Sequence, residues 1–179
     1  MTLKEKIMNI KAFAFDVDGV MTDGGILATD DGGLYRIFDA KDCFGLRMAK
    51  MHGYILAVIS GGHADGIRHR AVMCGVEPEN VFLSSMAKIE DFNTFINKYG
   101  LKPEEVLFCG DDLPDIPPML ACGIGACPSD AAADVLAIAD YVSPCPGGRG
   151  FVRQIVEMVM KARGDWALDV EQYTNSYKY

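Results

Sequence analysis

The feature that most constrains the fold is an apolar run, residues 12–15, which ends abruptly in Asp16 and Asp18 and then Gly19. A short run of β-prone apolar residues predicts a buried strand. The two carboxylates would then lie at its carboxyl end, where ligands bind in open α/β sheets. Two acids so placed are costly without a counter-charge, so the pair suggests a divalent cation, which takes oxygen ligands.

Length and charge limit the classes of protein to consider. The chain has 179 residues, which predicts one domain. Its formal net charge of −8 argues against a nucleic-acid partner, although an anionic substrate could still bind through a local cation. No apolar run approaches the roughly 20 residues of a membrane span, and the polar residues 1–10 do not resemble a secretory signal. We therefore expect a cytoplasmic protein with no membrane partner.

The cysteines give no sign of a disulfide framework or a zinc site. All six are scattered without a C-x-x-C pair, and most have apolar neighbours. Neither they nor the three histidines show the spacing of zinc ligands. We expect buried free thiols in a reducing compartment.

Apolar β-prone runs alternate with helical patterns along the chain. Strands are predicted at residues 12–17, 54–60, 81–83, 106–109, 124–126 and 141–142, the last at a sheet edge, and helices at residues 42–51, 64–73, 88–99, 117–121, 131–138 and 151–162. Asp42 is the expected N-cap of the first of these helices. This alternation predicts a Rossmann-like α/β fold, a doubly wound parallel sheet with helices on both faces.

A β-hairpin is expected directly after the first carboxylates. Two β-prone runs flank the turn sequence Thr29-Asp-Asp-Gly-Gly33, so a projecting hairpin is predicted at about residues 24–38. The remaining connections leave no room for a cap domain. Residues 1–164 are thus interpreted as one domain, followed by a tail, residues 165–179, whose aromatic residues suggest that it docks on another surface (Trp166, Tyr173, Tyr177 and Tyr179).

Three predicted strands end in residues with compatible chemistry. Asp16 and Asp18 follow the first, Ser60 and Gly61 the second, and Gly110-Asp111-Asp112 the fourth, with Lys88 before the fourth. This order resembles the haloacid-dehalogenase-like phosphohydrolases from residue 12 to about residue 142. Each of these residues alone is common in loops or helix starts, and only the combination favours a catalytic interpretation.

The resemblance implies a role for each matching residue. Asp16 would attack phosphorus and form an aspartyl phosphate, which splits hydrolysis into two easier steps. Asp18 would protonate the leaving alkoxide and then activate water. Lys88 would offset negative charge, while Ser60 and Gly61 would bind phosphoryl oxygens.

The resemblance also implies a magnesium ion, held by Asp16, Asp111 and the backbone carbonyl of Asp18. Asp112 and Asp115 could be helix caps or could support the metal ligands, and the sequence leaves both open. Arg70 is a further candidate for contact with an anionic substrate.

A narrower resemblance is to the cap-less sugar-acid phosphatases, in particular those that hydrolyse 3-deoxy-D-manno-octulosonate 8-phosphate in lipopolysaccharide synthesis. The hairpin, Lys41-Asp-Cys-Phe-Gly45, the motif at residues 110–115 and Gly147-Gly-Arg-Gly150 carry it. It implies a homotetramer through the hairpin, in which a neighbour closes the site over a small sugar phosphate. One departure is Gly62, where many relatives carry arginine, so the residue that contacts the sugar carboxylate is left open.

Alternative functions fit the same motifs. One is a phosphatase of a nine-carbon keto sugar acid 9-phosphate. Another is a non-catalytic assembly domain, although such a domain should lose the acids that this chain keeps. A protein phosphatase would also suit a site without a cap.

Overall fold

The computed structural model describes residues 1–175, which form eight α-helices and eight β-strands. The helices are α1 (Leu3–Asn9), α2 (Ala40–Met51), α3 (Asp65–Met73), α4 (Lys88–Tyr99), α5 (Ile116–Ala121), α6 (Ala133–Ile138), α7 (Phe151–Arg163) and α8 (Val170–Asn175). The strands are β1 (Ala12–Phe15), β2 (Leu27–Ala28), β3 (Leu34–Tyr35), β4 (Ile55–Ile59), β5 (Val81–Phe82), β6 (Val106–Cys109), β7 (Ile124–Cys127) and β8 (Tyr141–Val142).

Six of the strands form one parallel sheet in the order β5-β4-β1-β6-β7-β8. Strand β1 lies in the middle, with Phe15 level with Val58 of β4 and Cys109 of β6. Because these strands are parallel, their carboxyl ends meet at one edge of the sheet. The predicted doubly wound α/β fold is confirmed, with β8 at the edge as expected.

Strand β1 is buried on both faces, which explains its unbroken apolar sequence. Phe13 and Phe15 belong to the core that contains the buried residues of α2 and α7. Ala12 and Ala14 point to the opposite core, where their small size leaves room for Phe92. The alternation of large and small residues thus assigns each face of β1 to one helical layer.

Strands β2 and β3 pair antiparallel in a separate two-stranded sheet, the predicted hairpin. Among residues 1–175, only this hairpin stands between β1 and α2, and only α4 and a short 3₁₀ helix (Pro103–Glu105) stand between β5 and β6. No cap domain is therefore inserted in the described part of the chain. None of its helices has the length and apolarity needed to cross a bilayer.

One helix was not predicted, and the start of another was predicted wrongly. Helix α1 was missed, although Thr2 and Glu5 form a capping box whose Ser/Thr-x-x-Glu pattern is visible in the sequence. The N-cap of α2 is Asp39, whose carboxylate accepts from the amides of Lys41 and Asp42. Asp42 lies in the first turn of α2 and is buried.

The Asp42 carboxylate accepts hydrogen bonds from the amides of Gly150 (3.3 Å) and Arg153 (2.8 Å). Gly150 is the N-cap of α7 and supplies no side-chain cap of its own. Asp42 therefore satisfies the first turn of α7 from a neighbouring helix, which places an acid where the helix dipole favours one.

The expectation of free thiols was wrong for Cys43 and Cys74, which form a disulfide between α2 and the end of α3. The other four cysteines are free, and Cys109 and Cys127 among them are buried.

The described part of the tail contacts the domain itself. The Trp166 ring lies 4.5 Å from the guanidinium carbon of Arg153, and the Tyr173 ring lies 5.5 Å from the ring of Phe44. Tyr177 and Tyr179 lie outside the described residues.

Candidate active site

The carboxyl ends of β1, β4 and β6 surround a pocket of about 270 Å³. Its lining brings together most of the residues predicted from the sequence: Asp16, Asp18, Ser60, Gly61, Gly62, Ser85, Met86, Lys88, Asp112, Pro114 and Asp115. Larger cavities occur elsewhere; one of about 330 Å³ is lined by Ile10, Tyr54 and Tyr99 and contains none of these acids. We take the chemistry of the lining, rather than cavity size, as the guide to the site.

Lys88 holds two buried aspartates together. Its ammonium nitrogen lies 2.9 Å from Asp16 Oδ1 and 2.7 Å from Asp115 Oδ1, and all three side chains are almost fully buried. Burial alone would lower the pKa of Lys88, but the attraction of Asp16 and Asp115 outweighs it and leaves that pKa raised. Lys88 therefore remains an ammonium inside the site.

Asp115 also shapes the loop after β6. Its Oδ2 accepts from the amides of Asp111 (3.1 Å) and Asp112 (3.2 Å). A Cβ atom at Gly110 would lie 2.3 Å from the Cβ of Asp115, so this close approach requires glycine. Asp112 and Asp115 form the capping box of the 3₁₀ helix Leu113–Asp115, so both acids act as caps, and their support of metal ligands stays a prediction.

Three carboxylates converge with too little positive charge to balance them. One oxygen from each of Asp16, Asp111 and Asp115 lies within 4.8 Å of the others. Burial and the Asp115 charge together raise the pKa of Asp16 to about 7, against the opposing effect of Lys88. Burial and the neighbouring Asp16 and Asp115 raise the pKa of Asp111 to about 8. A divalent cation would relieve this repulsion.

Two further observations fit a cation at this cluster. Asp111 Oδ1 is buried and has no hydrogen-bond partner among the described residues. Gly19, at φ +93°, permits Asp111 to approach the backbone, because a Cβ at residue 19 would lie 2.0 Å from Asp111 Oδ2. The residues present therefore fit a hard cation held by carboxylate oxygens.

The loop after β4 offers hydrogen-bond donors to the pocket. Ser60 is buried, and its hydroxyl oxygen accepts from the amide of Gly62 at 3.1 Å. The amide of Ser60 is bonded to the carbonyl of Phe82, and its carbonyl accepts from Ser85, so the start of the loop is fixed on both sides. This rigidity suits a loop that binds an anion through hydroxyl and backbone donors.

Asp18 has a partner that the sequence interpretation missed. Arg36, which follows β3 in the hairpin, donates from Nε to Asp18 Oδ1 (2.5 Å) and from Nη2 to Asp18 Oδ2 (2.8 Å). The hint in the sequence is that Arg36 is the one cationic residue of residues 24–38. Its contact with Asp18 depends on how the hairpin folds back, which local patterns do not show.

Arg70 is not among the residues that line the pocket. It lies in the last turn of α3 and donates to the backbone carbonyl of Asp39 at 3.4 Å. Its contact with a substrate stays a prediction.

Comparison with known proteins shows the family of this chain. The model of the haloacid dehalogenase-like hydrolases matches residues 79–155. A 3-deoxy-D-manno-octulosonate 8-phosphate phosphatase of Escherichia coli K12 is 32% identical over 159 residues, which cover 89% of this chain and 84% of the relative.

Solved structures of phosphatases from other organisms have a similar fold. A 3-deoxy-D-manno-octulosonate 8-phosphate phosphatase from Yersinia pestis has a TM-score of 0.88 at 29% identity, with 91% of this chain and 87% of that chain covered. The enzyme from Moraxella catarrhalis, in complex with a magnesium ion, a phosphate ion and 3-deoxy-D-manno-octulosonate, has a TM-score of 0.87 at 28% identity, with 98% and 97% covered. The chain belongs to the haloacid dehalogenase-like hydrolases, in the group that contains the 3-deoxy-D-manno-octulosonate 8-phosphate phosphatases.

Proposed function

We propose that this protein is a magnesium-dependent phosphatase that hydrolyses 3-deoxy-D-manno-octulosonate 8-phosphate to the free sugar acid and phosphate, a step in lipopolysaccharide precursor synthesis. The observation that carries the proposal is the cluster of Asp16, Asp111, Asp115 and Lys88 facing the Ser60 loop. The similarity to the E. coli and M. catarrhalis enzymes supports the choice of substrate.

Asp16 is the proposed nucleophile. It lies at the end of β1, and Lys88 at 2.9 Å favours its carboxylate form. One Asp16 oxygen attacks phosphorus, the bond from phosphorus to the sugar oxygen breaks, and an aspartyl phosphate results. Ser60 and Gly61 hold phosphoryl oxygens while Asp18 gives the sugar oxygen a proton and later takes one from water.

Asp16, Asp111 and the backbone carbonyl of Asp18 are the proposed magnesium ligands. When bound, magnesium would neutralise part of the charge on the carboxylates and on the phosphoryl group. Asp115, held by Lys88 and by the loop amides, keeps Asp111 in place beside this position.

The first test is phosphate release from a panel of sugar phosphates in the presence of magnesium. We expect a preference for the eight-carbon acid, abolished in Asp16→Asn and kept in Asp134→Asn, which alters an exposed acid in α6. Preference for a nine-carbon acid 9-phosphate would keep the mechanism but change the pathway. If the wild-type protein released phosphate from no substrate, the catalytic proposal would fail and an assembly role would replace it.

The hairpin is the proposed contact of a homotetramer. Its apolar side chains are largely exposed in the single chain: Ile26, Leu27, Leu34, Tyr35 and Ile37. A group of exposed apolar side chains of this kind is typical of a protein contact. In addition, a site without a cap needs a neighbour to exclude water from a small substrate.

Sedimentation tests the assembly. Leu27→Asp and Ile37→Asp should reduce the tetramer to smaller species, while Leu120→Asp, an exposed leucine in α5, should not. A wild-type protein that sediments as a monomer would contradict the tetramer and favour a macromolecular substrate.

Residues 1–164 are the proposed catalytic domain and residues 165–179 its tail. A cytoplasmic location is proposed on the pathway of the relatives, although the Cys43–Cys74 disulfide is of a kind that a reducing compartment disfavours. Cell fractionation with an antibody to the chain would test the location.

A further inference from the structure

The side chain of Arg36 is buried, although the neighbouring residues in the hairpin are exposed. Its side chain is 5% exposed, whereas Tyr35 is 59% and Ile37 84% exposed. Side chains alternate between the two sides of an extended segment. The hairpin thus directs Arg36 into the site and its apolar neighbours outward.

The guanidinium of Arg36 fits between Asp18 and the Ser60 loop. Both Asp18 oxygens accept from it, in the forked geometry that an arginine offers and a lysine does not. A Cβ atom at Gly62 would lie 3.2 Å from Arg36 Nη2 and 2.7 Å from Ile67 Cδ1. Gly62 therefore leaves the space that Arg36 occupies.

Arg36 is not among the residues that line the pocket, whereas Asp18 is. We infer that Arg36 is a positioning residue that sets the orientation of the Asp18 carboxylate toward the attacking water, from which Asp18 takes a proton. The two hydrogen bonds fix the Asp18 side chain at both oxygens, so a single rotamer faces the pocket. The inference rests on the role proposed above for Asp18.

A double-mutant cycle with Asp18 tests this role. We compare Arg36→Ala, Arg36→Lys, Asp18→Asn and the double variant Arg36→Ala/Asp18→Asn, with magnesium and the sugar phosphate preferred in the panel. Arg36→Ala should lower kcat by about 10- to 100-fold, because misplacing a catalytic group by about 1 Å has effects of that size. The KM and the magnesium requirement should change by less than about twofold, since Arg36 contacts neither the substrate nor the magnesium ion in the proposed site.

Arg36→Lys should lose less kcat than Arg36→Ala, because a lysine can keep one hydrogen bond to Asp18. In the Asp18→Asn background the Arg36→Ala change should have an effect below about twofold, since its only target is already altered. Arg68→Ala removes a partly exposed arginine of α3 that donates to the Pro78 carbonyl, and it serves as the control, with unchanged kcat.

Additive losses in the cycle, or wild-type kcat in Arg36→Ala, would overturn the inference. An unchanged kcat in Asp18→Asn would instead refute the proposed role of Asp18 itself. If Arg36→Ala fails to fold, Arg36→Gln provides a second route, since glutamine keeps a polar side chain but cannot make the forked contact with both Asp18 oxygens. A folded Arg36→Gln protein should then show a loss of kcat that disappears in the Asp18→Asn background, and an equal loss in both backgrounds would contradict the inference.

Discussion

Replacing Lys88 with methionine should destabilise the protein strongly, and more at high pH than at low pH. Lys88 is nearly inaccessible and neutralises Asp16 and Asp115 at 2.9 and 2.7 Å. Removing one partner from a buried ion pair typically costs about 3–5 kcal/mol, because the remaining charges stay buried without compensation. Methionine has a similar shape, so a cavity adds little to this cost.

The pH dependence follows from the carboxyl groups that remain. The pKa values of Asp16 (about 7) and Asp111 (about 8) are raised above the ordinary value of 3.8. A carboxyl whose folded-state pKa is raised binds more protons in the folded state, so the free energy of unfolding falls as pH rises from about 4 to about 8. Without Lys88 the repulsion among the carboxylates increases. The loss of unfolding free energy in Lys88→Met, relative to the wild type, should therefore be largest near pH 8.

Urea unfolding in the presence of a chelator, at pH 5.5 and pH 8, measures both effects. The matched control is Lys11→Met, which breaks an exposed pair with Glu105 and should cost less than about 1 kcal/mol. A Lys88→Met protein within about 1 kcal/mol of the wild type at pH 8 would refute the reasoning. A loss of unfolding free energy that is the same at pH 5.5 and pH 8 would also refute it.

Other predictions concern the same edge of the sheet. Asp42→Ala should lower the free energy of unfolding by about 1–3 kcal/mol because it leaves two amides at the start of α7 without an acceptor, and an unchanged urea midpoint would contradict this. The rise in Tm on adding magnesium should grow from pH 6 to pH 8, as protons leave Asp16 and Asp111; calorimetry that shows a constant rise would count against the metal cluster. Gly19→Ala should weaken magnesium binding by more than about tenfold in titration calorimetry, because its methyl group meets Asp111, and wild-type affinity would contradict the geometry.

The sheet could be predicted because its signals are local. The strands β1 and β6 are continuous apolar runs that end in acids, and α4 between them shows regular apolar spacing. Parallel pairing then brings Asp16, Ser60 and Asp111 to one edge without any knowledge of side-chain contacts. The order of the motifs was enough to predict most of the pocket lining.

Other features depend on contacts between distant residues. Asp39 caps α2, whereas Asp42, the predicted cap, bonds to amides of α7 that lie more than 100 residues away in the chain. The Cys43–Cys74 disulfide joins residues 31 positions apart with no recognisable motif. Arg36 reaches Asp18 only because the hairpin folds back over the site.

If the proposed tetramer forms through the hairpin, the hairpin would link assembly to catalysis. Its apolar face carries Tyr35 and Ile37, and its inner face carries Arg36 on Asp18, within three consecutive residues. Two strands of two residues each are too short to hold a fixed conformation by their own hydrogen bonds. A partner that covers the apolar face would order the hairpin, and the same ordering would hold Arg36 in place. A chain with no cap domain can in this way make an open site depend on its neighbours, because a poorly placed hairpin leaves the Asp18 side chain free to turn.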